Sequence, residues 1–211
     1  MGATSTIRIA RAAALGVATL IGAGLSSPPA RAAYTVTYEQ EGSNVVASGM
    51  GTIDLAALSI FENASAEASM APFEGILDTG PTSFTLVDEY QGAITGPTSF
   101  GSGLLLTAAN SGSGDMVGIS NGSVFGQPIV TVPSGYVSGA ALSDMATYAN
   151  TTLSMLGATP GTYTWTWGSG PTEDSFTLDI VAPISAPEPG SLALLVMGLA
   201  GLGMVLRARR A

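Results

Sequence analysis

The chain has 211 residues, neither Cys nor His, and 6 basic against 15 acidic residues, giving a formal net charge of −9. This composition excludes disulfide staples, thiol nucleophiles, His-dependent serine triads and His/Cys metal centres. All the basic residues lie near the ends (Arg8, Arg11, Arg31, Arg207, Arg209 and Arg210), so residues 33–186 hold fourteen acids, no cation and a formal charge of −14. Such a surface argues against a nucleic-acid partner, which requires phosphate neutralisation.

Arg8 and Arg11 precede an uncharged apolar stretch over residues 12–25, which Ser26-Ser27-Pro28-Pro29 ends. Ala30-Arg31-Ala32 then supplies a small-x-small pattern. Residues 1–32 therefore read as a helical signal peptide cut between Ala32 and Ala33.

Residues 33–185 form the expected body, long enough for one sizeable core. Apolar and polar residues alternate with period two at Tyr34, Val36 and Tyr38, and again at Ile53 and Leu55. Phe84 and Leu86 repeat the pattern around Thr85. The clearest pair of segments is 162–167, with Tyr163, Trp165 and Trp167 on one face, and 176–180; the Gly/Pro-rich stretch between them predicts a hairpin. An aromatic stripe of this kind belongs in a core more often than in a sugar-stacking platform. On its other face, Thr162, Thr164 and Thr166 make a short threonine ladder of the type seen on ice-binding surfaces, which ordinary strand composition explains as well.

Thr159-Pro160-Gly161-Thr162-Tyr163 is similar to the tyrosine corner of Greek-key sandwiches. A helical turn capped by Asn150 is expected just before it. These signals predict an all-β body, a single antiparallel Greek-key (Ig-like) β-sandwich of roughly eight to ten strands, with a barrel as the second choice. Residues 57–72 are expected to be loosely structured. Gly80-Pro81-Thr82-Ser83-Phe84 recurs as Gly96-Pro97-Thr98-Ser99-Phe100, two copies being too few for a solenoid.

Carboxylates are the chemistry that remains. Asp88-Glu89 and Glu173-Asp174 are adjacent pairs, and hard oxygen ligands of this kind would take calcium. No D-x-D-x-D run accompanies them, so no metal site and no cofactor are assigned. A glycosidase needs two acids flanking a sugar, and acids from distant strands can meet. No catalytic residue is assigned.

The chain ends with Pro187-Glu188-Pro189, an uncharged run over residues 191–206, and Arg207, Arg209 and Arg210. The prolines keep the tripeptide out of helix and central strand. As a helix the run reaches roughly 24 Å, a short membrane span with a cytoplasmic basic stop. Three unlike elements in this order resemble the PEP-CTERM sorting tail of Gram-negative bacteria, over residues 186–211 only. The resemblance implies recognition and cleavage near Pro187, Glu188 and Pro189 by a membrane-embedded exosortase, the transpeptidase chemistry belonging to that partner. It also implies an inner-membrane intermediate, then cell-surface or extracellular delivery, commonly into extracellular polysaccharide. The expected role is non-enzymatic, structural or adhesive, with a carbohydrate-binding module, calcium-dependent or not, as the rival and a carboxylate glycosidase as the third reading.

Overall fold

Alternation builds the first two strands. In β1 (Tyr34–Glu41) Tyr34, Val36 and Tyr38 are buried, and in β2 (Asn44–Thr52) Val45 and Ala47 join them. The link between them is two residues long and starts with Gly42 at φ +61°, a left-handed conformation that favours glycine in a tight hairpin. The computed structural model describes residues 33–122 and 126–183. The expected signal helix (1–32) and membrane helix (191–206) lie outside them.

The remaining strands are β3 (Ser59–Ala66), β4 (Ser69–Ala71), β5 (Ile76–Thr79), β6 (Thr85–Gln91), β7 (Thr107–Ala108) and β8 (Ser111–Gly114). They continue as β9 (Val117–Ser120), β10 (Ile129–Pro133), β11 (Ala141–Tyr148), β12 (Gly161–Trp167) and β13 (Asp174–Ile180). A six-stranded sheet runs β12-β13-β1-β2-β11-β8, and a seven-stranded one runs β3-β6-β10-β9-β5-β4-β7. Both contribute to one core: Trp165, Phe176, Val36 and Tyr148 come from the first, Met70, Leu77, Ile119 and Val132 from the second. The body is thus all-β, in two open sheets arranged like a sandwich and not a barrel.

The predicted hairpin is β12–β13, with Trp165 opposite Phe176. Both tryptophans are core: Trp165 Nε1–H donates to the Pro97 carbonyl at 3.0 Å and Trp167 Nε1–H to that of Asp54 at 2.9 Å. Each ring is buried without leaving its donor unpaired. Thr162, Thr164 and Thr166 face solvent, Thr164 meeting Thr177 across the hairpin at 3.3 Å.

Tyr163 Oη donates back to the Thr159 carbonyl at 3.0 Å, the bond a tyrosine corner makes. Tyr163→Phe should cost about 1 kcal/mol, read as a lower urea midpoint with an unchanged m-value.

Several expectations are corrected. The sheets are not wholly antiparallel, because β1 and β13 pair in parallel, Tyr34 beside Phe176. Among the described residues there are thirteen strands, since pieces of two to four residues such as β4, β5 and β7 are too short to show a period. Residues 57–72 are not loose but hold β3 and β4. β3 is an edge strand with both faces largely exposed, which removes alternation. The helical turn is α1 (Leu153–Leu156), capped by Thr152, whose Oγ1 accepts from Met155 N; Asn150 instead takes a left-handed φ of 51°. Phe84 and Leu86 are exposed, because β6 turns Val87 into the core at this point.

Candidate functional site

Strand register places six residues in one row across the seven-stranded sheet. Ser69 on β4 pairs with Asp78 on β5, and Asp78 with Gly118 on β9. Gly118 pairs with Thr131 on β10, Thr131 with Glu89 on β6, and Glu89 with Glu62 on β3. Five strand spacings make the row roughly 24 Å long. A groove of about 300 Å³ lies along its middle, lined by Asp78, Thr131, Glu89 and Ser69. Ile76, Ile129, Phe84 and Leu106 form its apolar walls. Phe84 and Leu106 are 71% and 64% exposed, so the rim presents ring and branched carbon to solvent.

The floor is closed at Gly118. A Cβ there would collide with Asp78 Oδ1 and stand 2.7 Å from the Leu77 carbonyl, so the Asp78 carboxyl lies over the glycine. Burial pushes the Asp78 carboxyl up to about 7, with the nearby Glu89 charge adding to the rise. Glu89 is likewise raised, by burial first, then by the Glu62 charge and by a side-chain hydrogen bond with Glu62. Glu89 Oε2 is buried with no hydrogen-bond partner. Like charges directly opposite on neighbouring strands are unfavourable, and residues 33–186 offer no cation to relieve them.

No protein-family model, curated protein or solved structure matches this chain.

The four acids named from sequence are not gathered. Asp88 accepts from Gly135 N at 2.8 Å, Asn63 Nδ2 at 2.6 Å and Ser134 Oγ at 3.1 Å. The Gly135 amide, with help from Asn63 and Ser134, holds Asp88 below the usual carboxylate range. Asp174, on the other sheet, accepts from Asp54 N at 2.5 Å and Ser175 N at 2.6 Å; burial raises it. Glu173 precedes it in the chain. No group of three or more acids placed to hold a metal ion occurs among the described residues.

Of those four only Glu89 lines the groove; its partners Asp78, Glu62 and Thr131 carry no adjacent-pair signal. What the sequence does contain is an acid within the apolar run Ile76-Leu77-Asp78-Thr79. Pro187, Glu188, Pro189, Arg207, Arg209, Arg210 and Ala32 lie outside the described residues. Ala33 is exposed at the foot of β1, its carbonyl accepting from Thr52 N at 3.2 Å. No described helix is long and apolar enough to cross a membrane.

Proposed function

We propose that this is an exported protein, delivered by its signal peptide and PEP-CTERM-like tail, whose body serves non-enzymatically in extracellular polysaccharide and holds glycan in the groove of the seven-stranded sheet. The observation that carries the reading is the confinement of every positive charge to residues 8–31 and 207–210, flanking a wholly anionic payload. An open groove with carboxyl and hydroxyl acceptors beside apolar walls suits a hydroxylated ring. The tyrosine corner supports the Greek-key, Ig-like connectivity proposed for the body. Deleting the host exosortase should leave the chain unprocessed in the membrane fraction, read by immunoblot and terminal sequencing. Unchanged processing would replace sorting by plain anchoring.

A second reading, a carboxylate glycosidase, is favoured by one observation: two acids of raised pKa share the groove, as a general acid requires. Release of reducing ends from host polysaccharide, lost in both Asp78→Asn and Glu89→Gln, would establish it over the non-enzymatic one.

A further inference from the structure

We propose that the Asp78–Glu89 groove is a binding site for an amine-bearing glycan, its ammonium group seated between Asp78 and Glu89 and its ring against Phe84 and Ile129. The acids alone would not make a site. The second observation is Glu89 itself, 9% exposed, lining the groove, with Oε2 receiving no donor. A buried acceptor left unmade costs free energy, and a complementary donor recovers it.

The donor must come from outside the body. Asp88 and Asp174 are satisfied by backbone amides and small polar groups, whereas the groove acids face one another. A hydroxyl would fill one lone pair but supply no charge to balance the carboxyls. An ammonium group answers both, supplying several N–H donors and a positive charge. Calcium fits less well, because it takes six to eight oxygens and the walls here are carbon. Ile76, Ile129, Phe84 and Leu106 instead suit the apolar face of a ring joined to the amine. The row also has a polymer's geometry: acceptors recur from Ser69 to Glu89 across the strands, with the Asp78 carboxyl lying over Gly118 between them.

This deepens the matrix reading and rests on it only for where the ligand is met. The test uses the full chain in mild detergent and calorimetry at near-neutral pH. The probes are a de-acetylated hexosamine oligomer, its N-acetylated counterpart, an amine-free glucose oligomer and calcium chloride. The expected result is saturable binding of the first probe alone, weakened about tenfold or more by Glu89→Gln or Asp78→Asn. Phe84→Ala should weaken it several-fold. Glu41→Gln, an equal charge change at an exposed site on the other sheet, should leave it unaltered. Circular dichroism confirms that each variant is folded. Equal binding of the acetylated or amine-free oligomer, an equal loss in Glu41→Gln, calcium competing for the site, or no binding at all would each overturn the proposal. None of these outcomes touches the exosortase experiment, so the two readings fail separately.

Discussion

Trp165→Ala should lower the melting temperature by about 10–15 °C, while Thr164→Ala, one residue away on the same strand, should change it by a degree or two. Trp165 is 1% exposed and packs edge-on against Phe176 at 6.0 Å. Truncating so large a buried ring costs about 3–5 kcal/mol. The Pro97 carbonyl also loses its indole donor, so the loss belongs in the upper part of that range. Thr164 points to solvent, and its hydroxyl meets only Thr177. The comparison separates burial from strand propensity, since both substitutions remove a good strand former. Similar melting temperatures for the two variants would place the indole face outside the core.

The second large effect is on pH dependence. Asp144 is buried on β11, accepting from Tyr34 Oη while its Oδ1 has no partner. Burial is the main cause that pushes its carboxyl up to about 6, against the opposing hydrogen bonds from Tyr34 and Thr79; Asp78 rises to about 7. Both folded values exceed the unfolded value near 4. Their contribution to stability is therefore complete below about pH 4 and is lost as pH rises through about 6 and then 7. Asp144 alone accounts for about 3 kcal/mol of that loss. Repulsion within the anionic body acts in the same direction. The melting temperature should therefore be higher at pH 5 than at pH 8. Asp144→Asn should shrink the difference and Glu41→Gln should not. Stability that climbs from pH 5 to pH 8, or a slope unaltered in Asp144→Asn, would show that these acids are ionised at no cost in the folded protein.

The parts of the fold legible from sequence were those where one face is buried and the other is wet. β1, β12 and β13 keep strict alternation because each lies in the six-stranded sheet with its outer face open to solvent. β3 was illegible for the opposite reason: at a sheet edge with both faces exposed, nothing selects apolar residues at every second position. β9 is buried throughout and β10 at every position but Pro133, so they too lack a period. The groove was the hardest feature to foresee. Asp78, Thr131, Glu89 and Glu62 meet only through the register of strands distant in sequence, and register is a property of pairing that no single segment encodes. Asp88 and Glu89 form an adjacent pair, yet adjacency on a strand sends its members to different surroundings. One is enclosed by Asn63, Ser134 and Gly135; the other lines the groove.

The parallel pairing of β1 with β13 joins the opposite ends of the described chain inside a single sheet. Without Asp174–Ile180, β1 stays zipped to β2 along one side and presents a bare rail of amides and carbonyls along the other. β12, whose sheet neighbour is β13 alone, loses its pairing too. Any truncation that removes Asp174–Ile180 thus leaves a protein open to strand exchange with its neighbours.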